Sequence, residues 1–424
     1  MGFLVWLSSS HYTASKKSKL LSLYNDTVMR GKKISRRDCV VKCFIKNEAY
    51  PTYKNPRAIL ARVDDFKVRV APFIKVVEEL VYSLCSAQGI KYFIKTVPVP
   101  DRAKLICEVI GHQCGFVDPD TAHLHLQRYL VTDYTSFEAS FVRAIMNICE
   151  FALYRHVHKL FFDGSYDFSD LECIMSENYC VFRHYIFKLV ARRMSGEMNT
   201  SVGNGFSNLM LTKFILHEFG CKHVRMFVEG DDCIVSYVGP MLPEGFSAKL
   251  GFRVKMVYVP RPNLASFCGQ VFDYQHFRVI CDPIKVVLNF SWVNMAYANC
   301  PSLWRGLARS RALSLIYQYP GCPIVQPFAL RILHLTDDVD PVIDLTTTRY
   351  WQLLLADAIA DSRVLLPIEN STRELMFDVF GISVVKQLLL EDFFSRMPFE
   401  PYSHPSILEF CTFDQLHYYS HYVC

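Results

Sequence analysis

No uninterrupted apolar run in the chain reaches about 18 residues, so no membrane-spanning helix is expected. Repeats and low-complexity stretches are absent, which sets aside repeat architectures. The 16 cysteines follow no regular spacing, and no secretory leader precedes them. Met1-Gly2-Phe3-Leu4-Val5-Trp6-Leu7 is too short for one and gives way too soon to polar residues. Trp6 also stands where a myristoylation signal needs Ser or Thr. A disulfide scaffold is therefore excluded, and reduced thiols of a cytosolic protein are expected, most of them small core residues.

What the chain does have is size, hydrophobic mass and an uneven charge. Its 424 residues suffice for two or three domains or one large multi-lobed fold, and 51% hydrophobic residues can bury a sizeable core. Behind the net charge of +5, residues 1–75 carry 16 Lys and Arg against 5 Asp and Glu, a net +11, which leaves −6 for the rest. Such a front end is the footprint of a polyanion partner, nucleic acid or nucleotide phosphates, or else a solvated basic surface.

Residues 16–37 are rich in Lys and Arg and read as surface segments with a short helix. Val40 to Lys46 reads as a strand with cations interspersed; after a turn at Pro51, Pro56 holds Asn55 extended so that Arg57 opens a second strand. Two basic strands side by side suit a triphosphate, with the guanidinium bidentate, or form a solvated hairpin. Apolar residues at helical spacing predict a core helix over 72–84. Cys107, His112, Cys114, His123 and His125 lie close in sequence, but their spacing matches no common structural zinc site. Helices are expected near 154–161 and 170–178, with no chemistry attached.

Three stretches stand out. Tyr129-Leu130-Val131-Thr132 predicts a short strand delivering Asp133 at its carboxyl end, a usual place for ligands, unless Asp133 caps the following helix. Residues 194–204 predict a polar loop ahead of an apolar helix through Leu209, Leu211, Phe214 and Ile215. Its small hydroxyl and amide side chains suit sugar hydroxyls or a phosphate backbone, or plain capping. Residues 224–237 predict two strands joined by a tight turn at Gly230-Asp231-Asp232. Adjacent acids at a turn repel each other, and Mg²⁺ held by carboxylates and substrate phosphates is the natural compensation; an Asp-rich solvated turn is the plain alternative. Beyond these, strands are expected at 252–259 and 277–281, a tight turn at 266–270, and helices at 304–317, 349–359, 372–379 and 382–394, with no catalytic constellation in the last third.

In order, Asp133-Tyr134-Thr135-Ser136-Phe137-Glu138, Ser195-Gly196-Glu197-Met198-Asn199-Thr200 with Asn204, and Gly230-Asp231-Asp232 resemble motifs A, B and C of the RNA-dependent RNA polymerases of positive-strand RNA viruses. Lys46-Asn47-Glu48 with Lys54-Asn55-Pro56-Arg57 is similar to their basic motif F, and Leu250-Gly251-Phe252 with Lys255 to motif D. Phe267-Cys268-Gly269-Gln270 is similar to the primer-grip turn, motif E. The resemblance covers roughly residues 40–290 and is nearest to the tombusvirus-like and nodavirus-like branch.

The resemblance implies an α+β right-hand fold with a ferredoxin-like antiparallel palm sheet and a mainly helical thumb. Fingers would occupy 1–70, palm 71–150, a fingers insertion 151–190, palm again 191–290, and thumb 291–424. It implies RNA-templated genome replication and transcription, by nucleotidyl transfer from NTPs to an RNA 3′-hydroxyl. Asp133 and Asp231 would hold two Mg²⁺ ions, with Mn²⁺ as a substitute, and Asp232 would assist as a third acid. Lys46, Lys54 and Arg57 would meet the triphosphate, and Glu138, Ser195, Gly196, Thr200 and Asn204 would complete the nucleotide site. Ser195, Thr200 and Asn204 would read the ribose 2′-hydroxyl, Lys255 would protonate pyrophosphate, and Phe267, Cys268 and Gly269 would grip the primer. Template and nascent RNA, NTPs and other viral replication proteins are the implied partners, at membrane-associated replication sites in the host cytoplasm, with no transmembrane anchor in this chain. Glu138 departs from the usual Asp by one methylene, which leaves open whether it contacts the ribose network directly or through water. A reverse transcriptase and a catalytically silent RNA-binding scaffold are the rival readings. Asn204 and Gly230 speak against the first, and the presence of Asp133, Asp231 and Arg57 against the second.

Overall fold

A computed structural model describes residues 2–10, 12–46, 55–113, 126–162, 168–175, 177–290, 293–297, 299–345, 347, 349–360, 365–398, 411–414 and 416–417. They fall into two compact units. The larger holds the described residues of Met1–Glu48, Asn55–Thr96 and Gln113–Tyr258; the smaller, those of Val97–His112 and Val259–Cys424. The chain is a mixed α+β protein with antiparallel pairings in each of its sheets.

The strands of the larger unit are, in chain order, β1 (Val41–Ile45), β2 (Ala58–Arg62), β3 (Gln127–Tyr134), β4 (Glu177–Phe182), β5 (Tyr185–Val190), β6 (Lys222–Glu229), β7 (Asp232–Val238) and β8 (Val254–Val259). One four-stranded sheet has the order β2-β1-β4-β5. Its β1 and β2 pair antiparallel from Val41↔Arg62 to Ile45↔Ala58, so the two expected basic strands do lie side by side. The other has the order β6-β7-β3-β8. Leaving out the β4–β5 hairpin, which belongs to the first sheet and is inserted after β3, this sheet and its connections run strand, helices, hairpin, helix, strand, the βαββαβ arrangement of ferredoxin-like units.

Behind the second sheet, the helices Asp64–Tyr82 and Thr200–Glu218 supply Phe73, Val77, Val81, Leu209 and Ile215 to one core with Leu130, Val228 and Val235. Tyr134, Phe137, Phe141 and Phe252 form a ring cluster at the end of β3, with centroids 4.4 Å apart for Tyr134 and Phe137 and 5.4 Å for Phe141 and Phe252. These rings anchor the backbone on either side of Thr135, whose N–H donates to Arg253 O at 3.0 Å.

Two expectations need correction here. The helix placed at 72–84 begins at Asp64, with Pro72 inside it. Asp64 and Asp65 in its first turn suit the positive end of the helix dipole, and ten buried side chains offset the hydrogen bond that Pro72 cannot make. The helix placed at 170–178 is a single turn, Ser169–Glu172, followed by a 3₁₀ turn, and the chain is already extended as β4 at Glu177. Asn178 Nδ2 donates to Ile174 O at 3.2 Å, closing that turn and releasing the chain into the strand.

The smaller unit pairs β9 (Val271–Asp273) with β10 (Arg278–Ile280). Among the described residues six helices of eight or more residues follow: Pro283–Phe290, Pro301–Gln318, Val325–Leu335, Arg349–Ala360, Asn370–Phe380 and Val384–Arg396. The helix Val99–Ile110 joins them, with Cys107 Sγ against Asp273 O at 3.7 Å. Among the described residues no helix is long and apolar enough to cross a membrane.

Candidate active site

The site is built on the ends of β3 and of the β6–β7 hairpin. Glu229 faces Asp232 across a two-residue turn, and Gly230 at its first central position has φ +60°, where hairpin turns of this length need a residue free to go left-handed. Pairing of β3 with β7 runs to Thr132↔Cys233, so the next step of the register sets Asp133 alongside Asp232 at the same end of the sheet. Asp133 does not cap a helix, because the N-cap of the following short helix is Ser136.

Asp231 stands exposed at the tip, with protein closing off one side of its carboxylate. That partial desolvation raises its pKa, the Glu138 and Asp133 carboxylates raise it further, and its own backbone N–H and the Arg57 guanidinium pull the other way. Arg57, Asp133 and Glu138, from separate parts of the chain, therefore all act on Asp231. Among the described residues no three His, Cys, Asp or Glu side chains are close enough to hold a metal ion unaided. Mg²⁺ is commonly bound by one or two carboxylates plus substrate phosphates. Acids that repel one another at an open hairpin tip fit an ion whose shell the substrate completes.

Lys46 and Arg57 are brought together, with Lys46 N donating to Arg57 O at 2.9 Å at the open end of β1 and β2. Lys54, Asn47 and Glu48 lie outside the described residues, as do Cys114, His123 and His125. Asn204 Nδ2 donates to Glu138 Oε1 at 3.0 Å, so the longer acid reaches Asn204 directly. Asn204 Oδ1 is buried and has no partner among the described residues.

The loop before the helix Thr200–Glu218 turns much of its polarity inward. Ser195 Oγ accepts from Leu60 N at 3.2 Å and donates to Ala58 O at 3.3 Å, and Gly196 N donates to Leu60 O at 2.9 Å. Together they extend the edge of β2, the strand that Arg57 precedes. A Cβ at Gly196 would meet Ile59 Cγ2 at 2.9 Å and Leu60 O at 3.1 Å. Thr200 Oγ1 donates to Met194 O at 2.5 Å, and Asn199 Nδ2 to Glu150 Oε1 at 2.7 Å. Ser195, Gly196 and Thr200 thus have bonds within the fold that the sequence reading did not foresee.

Three further features were missed. Glu197 is buried in an ion pair with Arg62, whose guanidinium also donates to Asn178 Oδ1 and to Cys39 O. Glu150 takes a bidentate pair of bonds from Arg193, both side chains fully buried. Asn208, also fully buried, donates to Gly230 O and to Asp232 O, each at 3.2 Å. Asn204, Asn208 and Thr212 recur every four residues on one helix face, a polar stripe that could have been seen in the sequence.

Lys255 is exposed on β8, the neighbour of β3. In the smaller unit Phe267 and Gln270 exchange backbone hydrogen bonds of 2.8 and 3.0 Å, and both central residues are left-handed, Cys268 at φ +53° and Gly269 at +73°. This is a type I′ turn, as the expected tight turn requires.

A family model described as viral RNA dependent RNA polymerase matches residues 185–248, from β5 through the helix Thr200–Glu218 and the hairpin to the start of the next helix. The RNA-directed RNA polymerase of Groundnut rosette virus (strain MC1) is 27% identical over 266 residues, which is 60% of this chain and 28% of that protein. The chain thus spans little more than a quarter of the length of this curated relative. With the ordered motifs and the geometry at the hairpin, these matches show that the chain is similar to the viral RNA-dependent RNA polymerases.

Proposed function

We propose that the chain synthesises RNA on an RNA template, joining NTPs to an RNA 3′-hydroxyl. The observation that carries this reading is the pairing register, which sets Asp133 alongside Asp232 at the tip of the β6–β7 hairpin, with Asp133, Glu138 and Arg57 all acting on Asp231. Phosphoryl transfer asks a protein mainly for positioning and for charges set in advance. Asp133 and Asp231, with Asp232 beside them, are the residues to hold divalent ions, Mg²⁺ or Mn²⁺. Bound there, such ions favour the ionised 3′-hydroxyl and neutralise the leaving pyrophosphate.

The rest of the chemistry falls to the chain's own groups. Arg57 and Lys46 offer the triphosphate two adjacent cations, and Ser195 and Gly196, by extending β2, hold the start of that strand in place. Asn204 presents an unpartnered acceptor beside Glu138, suited to a ribose hydroxyl. Lys255 is the proposed proton donor to pyrophosphate, and Phe267, Cys268 and Gly269 the proposed primer contact. The assignments to fingers, palm and thumb, the tombusvirus-like branch, and replication with other viral proteins at cytoplasmic membranes belong to the same proposal.

The test is incubation of the purified chain with RNA template, Mg²⁺ or Mn²⁺ and each NTP pool, with and without primer. Template-complementary RNA is expected. Equal use of deoxynucleotides would favour a reverse transcriptase, and template binding without synthesis would favour a silent scaffold.

A further inference from the structure

We infer that Asn208 is a positioning residue for the hairpin acids, acting through the backbone and touching no substrate. It lies in the third turn of the helix Thr200–Glu218, with no side-chain exposure of its own to serve a ligand. Its amide nitrogen spends both hydrogens on the hairpin: one on Gly230 O and one on Asp232 O, each at 3.2 Å. Those carbonyls bracket Asp231, so a single side chain ties down the backbone on both sides of that acid. Thr212 Oγ1 donates to Asn208 Oδ1 at 3.2 Å, which fixes the amide with its nitrogen toward the hairpin. The helix also comes close here, since a Cβ at Gly205 would stand 3.7 Å from Gly230 N and 2.9 Å from the Phe93 ring.

The physical need for such a tie follows from the charges. Asp231 is pressed by the Glu138 and Asp133 carboxylates, and a glycine-containing two-residue turn is the part of the sheet freest to swing away from them. Two hydrogen bonds from a buried, pre-oriented amide oppose that swing. Catalytic groups lose rate steeply when displaced by about 1 Å, so the tie acts on turnover more than on binding.

The inference rests on the polymerase reading for its kinetic arm, and the test separates the two. Asn208→Leu keeps the side chain's size without its donors. It is expected to lower kcat about 10- to 100-fold and to raise the half-saturating Mg²⁺ concentration several-fold. KM for NTP and template affinity should change by less than about 3-fold. Hydrogen exchange at residues 229–233 should quicken. A role in stability alone would lower the active fraction without moving the Mg²⁺ dependence. Asn208→Leu that folds and matches wild type in kcat, Mg²⁺ dependence and hairpin exchange overturns the inference. If that variant fails to fold, Thr212→Val decides, with a smaller loss of kcat at unchanged KM expected and wild-type kinetics overturning. If the wild-type chain makes no RNA, the polymerase reading fails, and hairpin exchange in the same variants still decides the role of Asn208.

Discussion

Glu138 is one methylene longer than the acid usual at its place in the motif it resembles, and that length brings its Oε1 within 3.0 Å of Asn204 Nδ2. The pair leaves Asn204 Oδ1 buried and without a partner among the described residues, a costly state for an amide unless a ligand hydroxyl or water meets it. Glu138→Asp should therefore loosen Asn204 and weaken the choice of ribose over deoxyribose by about 10-fold, with Glu138→Gln closer to wild type. The ratio of kcat/KM for ATP and dATP measures it; an unchanged ratio in Glu138→Asp would remove this contact from sugar selection. At this scale the acids themselves were legible, because Asp133, Asp231 and Asp232 sit beside apolar β-branched runs that announce strands. Asn208 was legible only as one member of the Asn204, Asn208 and Thr212 stripe; its partners were not, because an amide in a helix has no visible purpose until the hairpin is folded against it.

Among the elements, β2 and the loop at 194–199 behave as one piece. Backbone and hydroxyl bonds from Ser195 and Gly196 line the edge of β2, and the buried Arg62–Glu197 pair joins its far end to the same loop. Burial drives the Glu197 pKa up, and the Arg62 and Arg193 guanidiniums oppose that rise. Removing one partner strands the other charge in the interior, so Arg62→Met should cost about 3–5 kcal/mol in urea unfolding. A combined Arg62→Met, Glu197→Leu variant should recover part of the loss. A loss below about 1 kcal/mol for the single variant would mean that water reaches the pair. The β1–β2 and β6–β7 pairings could be read in advance, since their apolar runs are bounded by Pro, Asn and Gly. The β4–β5 hairpin could not: Leu171, Ile174 and Met175 keep helical spacing to within two residues of the strand. Only the buried Asn178, held by Ile174 O and by Arg62 from β2, shows where the helix gives way.

For the molecule as a whole, the two units carry different electrostatic loads. In the smaller one, Asp273 is buried, which by itself raises its pKa, but the hydroxyls of Thr372 and Ser371 and the backbone N–H groups of Gln275 and His276 hold it below the ordinary carboxylate value. A depressed pKa of this kind contributes stability above about pH 4, and that stability is lost as pH falls through the folded-state value. Asp273→Asn should thus destabilise this unit by about 1.5–3 kcal/mol near pH 7, with the gap to wild type closing on acidification below about pH 4. Tryptophan fluorescence can follow it, since Trp292, Trp304 and Trp351 all lie after residue 259. A gap independent of pH would mean the carboxylate is not the group being held. In the larger unit the load is the reverse: Glu138 and Asp133 raise the pKa of Asp231 at the hairpin, and Arg57 opposes them. The proposal that these acids make RNA is tested by incorporation of labelled UMP on a poly(A) template by the wild-type chain and by Asp231→Asn. The wild type should extend in a template-dependent way. The variant should fall to background while binding template within about 2-fold of wild type and melting no lower, because one of three converging charges has been removed. Synthesis retained by Asp231→Asn, or absent from both proteins, would contradict it.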